Sequence, residues 1–105
     1  MDAFSIHGGQ RLTGSISVDG SKNASLPLLA ASLLTNETVT YDCVPELSDI
    51  ANMGRLLEEL GCNVSRTDDR VTVIAVDETK SHARYDIVRT MRASVCVLGP
   101  LLARR

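Results

Sequence analysis

The stretch SDIANMGRLLEELG, residues 48–61, decides the fold of this 105-residue chain. Its apolar side chains recur at helical spacing and form one stripe, made of Ile50, Met53, Leu56, Leu57 and Leu60. That periodicity predicts an amphipathic helix whose apolar stripe packs on a core. We expect Ser48 to cap the start of this helix. Gly61 is expected to end it, because glycine readily adopts the left-handed conformation found at helix ends.

Strands are predicted on both sides of this helix. After it, residues 63–66 and 70–76 are expected to pair as a hairpin, with Asp68-Asp69 at the turn. Before it, residues 38–43 predict a strand that places Val39 and Tyr41 on one face. A helix enclosed by strands in this way predicts helices packed on a sheet.

The N-terminal third is expected to contain two more strands and a helix. Residues 4–18 alternate apolar and polar side chains over short stretches, which predicts two short strands joined by a turn. The segment 23–34 is rich in Ala and Leu and predicts a helix capped by Ser21 or Asn23. Pro27 is compatible with that helix only in its first turn, where a missing N–H is no loss.

The C-terminal part predicts one helix that starts near Asp86 and runs toward Arg104. Gly99-Pro100 is expected to bend this helix or to end it early. With the preceding elements, the order of strands and helices is mixed. This order predicts an α/β or α+β fold with helices against a sheet.

Composition limits the classes of protein to which the chain can belong. Hydrophobic residues make up 44% and charged residues 23%, with a net charge of -2, as in a globular domain. No apolar run reaches the roughly 20 residues of a membrane helix, and residues 1–5 lack the pattern of a signal peptide. A cytoplasmic location without membrane contact is therefore expected. An aromatic content of 3% offers no platform for stacking bases, so nucleic acid is not an expected partner.

Cysteine and histidine give no sign of a metal site or a disulfide framework. Cys43, Cys62 and Cys96 are odd in number and widely spaced, and we interpret them as small buried side chains. His7 and His82 belong to no metal-binding motif. No metal is expected.

The segment VDGSKNA, residues 18–24, is a candidate anion site. A predicted strand here leads straight into a predicted helix, whose N-terminus offers free N–H groups and a partial positive charge. Lys22 adds a full charge, and Gly20 permits close approach of a ligand. The alternative is an exposed lysine beside an ordinary helix cap.

Three arginines near the last predicted helix form a second candidate. Arg89 and Arg92 are three residues apart and would share a helix face, with Arg84 nearby, as a bidentate site for phosphate or carboxylate. The alternative is that these are surface arginines, which form ion pairs with nearby acidic residues such as Asp86. We interpret the acidic residues around the central helix as solvated surface, namely Glu46, Asp49, Glu58 and Glu59.

In order and spacing, the motifs of the chain resemble one family over essentially its whole length. The motifs are GSKNA (20–24), Leu26-Pro27, Val44-Pro45, Leu47-Ser48-Asp49, Leu60-Gly61, Tyr85-Asp86, TMRAS (90–94) and LGPL (98–101). Together they resemble the N-terminal part of UDP-N-acetylglucosamine 1-carboxyvinyltransferases, the bacterial enolpyruvyl transferases that begin peptidoglycan synthesis. The resemblance implies an α/β fold of repeated βαβαββ units, which this chain contains only in part. It also implies that residues 1–21 give strands to a second domain, and that residues 22–105 form the first part of the first domain.

The resemblance also implies a reaction, substrates and site residues. Family members transfer the enolpyruvyl group of phosphoenolpyruvate to the 3′-hydroxyl of UDP-N-acetylglucosamine and release phosphate, without a cofactor. Lys22 and Asn23 match the positions that contact phosphoenolpyruvate, Lys22 also with a catalytic role, and Arg92 matches an arginine that binds the sugar nucleotide. The acid cysteine of the family is expected beyond Arg105, and Cys96 is not its equivalent. The 105 residues alone are therefore expected to be inactive without the remainder of a two-domain enzyme.

Two alternatives remain open at this point. An enolpyruvyl transferase of the shikimate pathway would share the fold, but it is expected to carry a lysine followed by a serine where this chain has Lys22-Asn23. A non-catalytic module for ligand binding or assembly would use the same fold without the reaction.

Overall fold

The first helix, α1 (Lys22–Ala31), begins at Ser21, whose side chain accepts a hydrogen bond from the Ala24 amide at 3.2 Å. This is seen in a computed structural model, which describes residues 1–105. The predicted cap at Ser21 is confirmed, but the predicted place of Pro27 is wrong, because it lies inside the helix beyond the first turn. Pro27 has no N–H to donate to the carbonyl of Asn23, so α1 lacks that one hydrogen bond, at an exposed residue.

Tyr41 fastens the end of α1 to the sheet. Helix α1 continues into a 3₁₀ segment, Ser32–Leu34, and Tyr41 is the last residue of strand β1 (Val39–Tyr41). The Tyr41 hydroxyl donates to the Leu28 carbonyl at 2.6 Å and lies 2.8 Å from the hydroxyl of Ser32, which is buried. One phenol therefore satisfies two polar groups at the change of helix type.

We expect Tyr41→Phe to lower the free energy of unfolding by about 1–3 kcal/mol, because it leaves the buried Ser32 hydroxyl without its partner. Urea denaturation of the two proteins measures the difference. Tyr85→Phe is the matched control, since the Tyr85 side chain makes no hydrogen bond and the residue is 73% exposed. Equal losses in the two variants would contradict this interpretation of the Tyr41 contacts.

The central helix, α2 (Ser48–Glu59), packs the predicted apolar stripe into the core. The stripe residues, with Leu60 beyond the helix, are all at most 5% exposed. The predicted cap at Ser48 is wrong, since Ser48 is the first helical residue and Leu47, with extended backbone, takes the cap position. The predicted role of Gly61 is confirmed, because its φ is 82°. A Cβ there would also lie 2.1 Å from the Asp77 carbonyl oxygen, so glycine is required twice.

The sheet has three antiparallel strands in the order β1-β3-β2. Strands β2 (Cys62–Thr67) and β3 (Arg70–Ala75) form the predicted hairpin, and Asp68 at its turn adopts a positive φ of 54°. One face of the sheet packs on α2, which contacts β2, and on the 3₁₀ segment Ser32–Leu34, which contacts β3. The buried side chains of β3 alternate along this face at Val71, Val73 and Ala75. The other face is solvated, as in a two-layer α+β unit.

The predicted C-terminal helix is wrong in its continuity. Three short pieces replace it: α3 (Tyr85–Val88), a 3₁₀ segment (Arg92–Val97) and α4 (Leu98–Arg104). The break falls at Met91, whose backbone is extended and whose side chain is buried, so core packing overrides the local helix preference. Pro100 lies in the first turn of α4 and helps to begin a helix there, rather than to end one.

Residues 1–20 form no strand, and the two strands predicted at 4–18 are therefore a wrong prediction for this chain. A strand needs a hydrogen-bonded neighbour, and no backbone hydrogen bond joins this segment to the rest. Its large apolar side chains after Met1 are 87–99% exposed, namely Phe4, Ile6, Leu12, Ile16 and Val18. The assignment of these residues to a second domain stays a prediction.

At Gly20 the N-terminal segment crosses the loop that follows β1 at very close range. A Cβ on Gly20 would lie 1.6 Å from the carbonyl oxygen of Cys43, a residue that itself adopts a positive φ of 58°. The interpretation of Cys43 as buried is wrong, because it is exposed in this loop, whereas Cys62 is buried. Burial raises the pKa of the Cys62 thiol.

None of the helices has the length and apolar character needed to cross a membrane.

Candidate active site

An open cleft of about 350 Å³ lies where three separate parts of the chain meet. Its walls come from the start of α1, the start of α2 and the segment that begins the 3₁₀ turn after α3; the lining residues are Lys22, Asn23, Leu26, Asp49, Thr90, Met91, Arg92 and Ala93. Leu26 and Met91 are buried and form its floor. The structure therefore brings Lys22, Asn23 and Arg92, all predicted as site residues, to one place.

Lys22 is the first residue of α1, and its ammonium is held by a carboxylate. Lys22 Nζ donates to Asp49 Oδ2 at 2.9 Å, with side chains 44% and 33% exposed. Asp49 was interpreted from the sequence as solvated surface; its side chain is indeed 33% exposed, but the contact with Lys22 was not predicted. The contact joins residues that are 27 positions apart, so no local pattern marks Asp49 as a neighbour of Lys22.

Arg92 stands across the cleft with its guanidinium unpaired. It is exposed, is the first residue of the 3₁₀ segment and takes part in none of the four ion pairs. Asn23 is also exposed, and its side-chain amide makes no hydrogen bond within the chain. Both side chains are thus available to a ligand.

The predicted cluster of three arginines does not form. Arg84 turns to Glu59, to which its backbone amide (2.9 Å) and its Nε both donate. These bonds lower the pKa of Glu59 below its ordinary value. Arg89 packs over the ring of Tyr85, 5.8 Å from the ring centre, and does not line the cleft. The cluster failed because the helix that was expected to align Arg89 with Arg92 is broken between them.

The charges of the cleft suit an anion. Lys22 and Arg92 contribute two positive charges and Asp49 contributes one negative charge. Helices α1 and α2 both begin at the cleft, so their N-termini direct partial positive charge toward it. No cysteine lines the cleft, and Cys96 lies beyond it in the 3₁₀ segment. The arrangement can therefore bind and polarise an anionic ligand, while this chain places no thiol acid in the cleft.

Comparison with known proteins identifies the class to which this chain and its fold belong. The family profile described as EPSP synthase (3-phosphoshikimate 1-carboxyvinyltransferase) matches residues 6–105. The crystal structure of the enolpyruvyl transferase NikO from Streptomyces tendae superposes with a TM-score of 0.78 and 25% identity, over 95% of this chain and 23% of that one. The chain belongs to the EPSP synthase family, an enzyme family of enolpyruvyl transferases. The predicted fold class, an incomplete α/β repeat of the enolpyruvyl transferase type, is thereby confirmed.

Relatives found in this comparison carry a narrower name. UDP-N-acetylglucosamine 1-carboxyvinyltransferase from Nitratidesulfovibrio vulgaris strain Hildenborough is 55% identical over 104 residues, which are 99% of this chain and 25% of the relative. Proteins of the same name from Nitratiruptor sp. and Akkermansia muciniphila are 46% and 48% identical, over 25% and 24% of their lengths. The resemblance stated from the motifs is confirmed. The chain spans about a quarter of the length of the curated relatives it matches.

Proposed function

We propose that this chain supplies one wall of the active site of a UDP-N-acetylglucosamine 1-carboxyvinyltransferase. The observation that carries the proposal is the convergence of Lys22, Asn23 and Arg92 on one cleft, in a chain 46–55% identical to relatives of that name. The proposed reaction begins peptidoglycan synthesis in the cytoplasm. It needs no cofactor.

The chemistry starts with addition of the sugar 3′-hydroxyl to C2 of phosphoenolpyruvate. A general acid protonates the methylene carbon C3, the hydroxyl proton leaves to a base, and a tetrahedral adduct forms. The adduct then loses a proton from C3 as the C2–O bond to phosphate breaks, which gives the enolpyruvyl ether and inorganic phosphate. Phosphoenolpyruvate and the tetrahedral adduct both carry a carboxylate and a phosphate, so fixed positive charge can stabilise both of them.

Each cleft residue has a proposed role in that sequence. Lys22 and Asn23 bind phosphoenolpyruvate, and the ammonium of Lys22 stays with its phosphate or carboxylate while the adduct forms. Arg92 binds the sugar nucleotide through its planar guanidinium, which suits a diphosphate. We assign the general acid to a residue beyond Arg105, where the resemblance to the family places it. Residues 1–21 are proposed to join a second domain, and residues 22–105 to begin the first.

A chimera tests the proposal. In it, this chain replaces the matching segment of the Nitratidesulfovibrio vulgaris relative, with which it shares 55% identity. We expect the chimera to release phosphate only when phosphoenolpyruvate and UDP-N-acetylglucosamine are both present. The isolated 105-residue chain should release none above its own Lys22→Ala variant, because it contributes only one wall of the site. A chimera that folds but stays inactive would contradict the proposal.

The family description favours one second candidate, a shikimate-pathway enolpyruvyl transferase. Asn23 argues against it, because that enzyme is expected to have serine after the lysine. The same phosphate assay distinguishes the two, with 3-phosphoshikimate in place of the sugar nucleotide. Phosphate release with phosphoenolpyruvate and 3-phosphoshikimate, but not with phosphoenolpyruvate and UDP-N-acetylglucosamine, would favour the second candidate.

A further inference from the structure

Asp49 is a charged residue of the cleft to which the resemblance assigned no role. We propose that Asp49 is a positioning residue, which acts on the enolpyruvyl transfer by holding the ammonium of Lys22 at the cleft. The inference rests on the proposed function and deepens it. It begins from the 2.9 Å contact between Lys22 Nζ and Asp49 Oδ2.

Folding stability does not account for this ion pair. The two side chains are 44% and 33% exposed, and exposed ion pairs contribute little because water and salt screen them. The contact instead restricts the position of the Lys22 ammonium. A lysine side chain has four rotatable bonds and large conformational entropy, and a fixed acceptor restricts where its ammonium lies.

The geometry leaves the ammonium available to a ligand. A lysine ammonium has three N–H donors, and Asp49 accepts one of them. Two donors remain for an anion in the cleft, which Lys22 and Arg92 line together. Because Lys22 and Asp49 stand at the starts of α1 and α2, both ends of the contact are anchored in regular helices. The Lys22 side chain therefore loses conformational entropy on folding rather than on substrate binding, which favours binding.

A purely structural role for Asp49 is the competing explanation. It is the acidic residue in the first turn of α2, where a negative charge stabilises the helix through its dipole. In that role, replacing Asp49 would lower the melting temperature of the protein by the same amount whether residue 22 is lysine or alanine. It would not depend on the presence of Lys22, and this difference can be measured.

The first experiment asks whether the contact exists in solution, and it needs no enzymatic activity. The chain has two lysines, Lys22 and Lys80, and Lys80 is exposed and makes no ion pair. An N-hydroxysuccinimide ester acetylates both, and peptide mass spectrometry gives the ratio of their rates. Asp49→Ala should raise the Lys22 rate relative to Lys80 about threefold, since the amine no longer has to leave a carboxylate. An unchanged ratio would overturn the inference.

A matched control removes a different exposed ion pair. Asp42 accepts from Arg70 Nε at 2.6 Å, with both side chains more than 60% exposed. Asp42→Asn should leave the ratio of the two lysines unchanged, which shows that the effect of Asp49 is specific.

The second experiment is a double-mutant cycle in the chimera. Asp49→Ala should lower kcat/KM for phosphoenolpyruvate about tenfold, and Asp49→Asn, which keeps an acceptor for Nζ, should lower it less. In a Lys22→Ala background, Asp49→Ala should have about twofold effect or less, because the group on which it acts is gone. Equal losses in both backgrounds would overturn the positioning role while leaving the proposed function in place. An inactive parent chimera would instead overturn the proposed function, and with it any role of Asp49 in this reaction.

Discussion

Replacing Lys22 with alanine is expected to lower the turnover of the chimera by about a hundredfold or more. Removing one partner of a desolvated charge pair costs about 2–5 kcal/mol, and each 1.4 kcal/mol is about tenfold in rate. The Lys22 side chain is 44% exposed in this chain, and in the proposed enzyme we expect residues outside the chain to enclose the cleft and exclude water. Protein groups must then stabilise the negative charge of the tetrahedral adduct, and we expect Lys22 to be one of them.

Steady-state kinetics on two further variants define what Lys22 contributes. Lys22→Arg keeps the positive charge and should retain far more turnover than Lys22→Ala. Lys80→Ala is the control for loss of a surface lysine, and it should match the parent chimera because Lys80 lies outside the cleft. Nearly unchanged turnover in Lys22→Ala would show that the family role does not transfer to this position.

Replacing Arg92 is expected to weaken sugar-nucleotide binding rather than to slow the chemical step. Its guanidinium has no partner within the chain, so its donors are available to an anionic ligand. Arg92→Ala should raise the Kd for UDP-N-acetylglucosamine by about tenfold to a hundredfold, as expected when a charge-assisted bidentate contact is lost. Arg92→Lys should restore little of this loss, since an ammonium lacks the planar fork of a guanidinium.

Isothermal titration of the chimera with the sugar nucleotide measures both variants. Arg89→Lys is a close control, because Arg89 is three residues away yet packs on Tyr85 outside the cleft. It should bind as the parent does. Unchanged affinity in Arg92→Lys, or an equal loss in Arg89→Lys, would contradict the assignment of Arg92.

Where the sequence predicted the fold well, the information was local. The stripe of α2 has helical period, Gly61 must adopt a positive φ, and Asp68-Asp69 joins two strands at hairpin distance. Each of these depends on residues within a few positions of one another. The break at Met91 could not be predicted in this way, because burial of its side chain against distant residues decides it.

The candidate site shows the same division. A lysine at a helix start and an arginine in TMRAS were identified from motifs, and the structure places both in one cleft. Asp49 was missed, because its meaning depends on a contact across 27 positions. The strands expected at 4–18 failed for a related reason, since alternation predicts a strand only where a neighbouring strand exists to pair with it.

The crossing at Gly20 has a consequence for how further sequences can be sorted. No side chain fits there, because even a methyl group would overlap a backbone oxygen that cannot rotate away. A search pattern that asks for lysine at the start of the helix also accepts many ordinary surface lysines. Requiring glycine two positions earlier selects chains that can lead their N-terminal segment over this loop and into the helix. We therefore expect glycine at position 20 to help separate true from chance matches, although its residue has no side chain to touch a substrate.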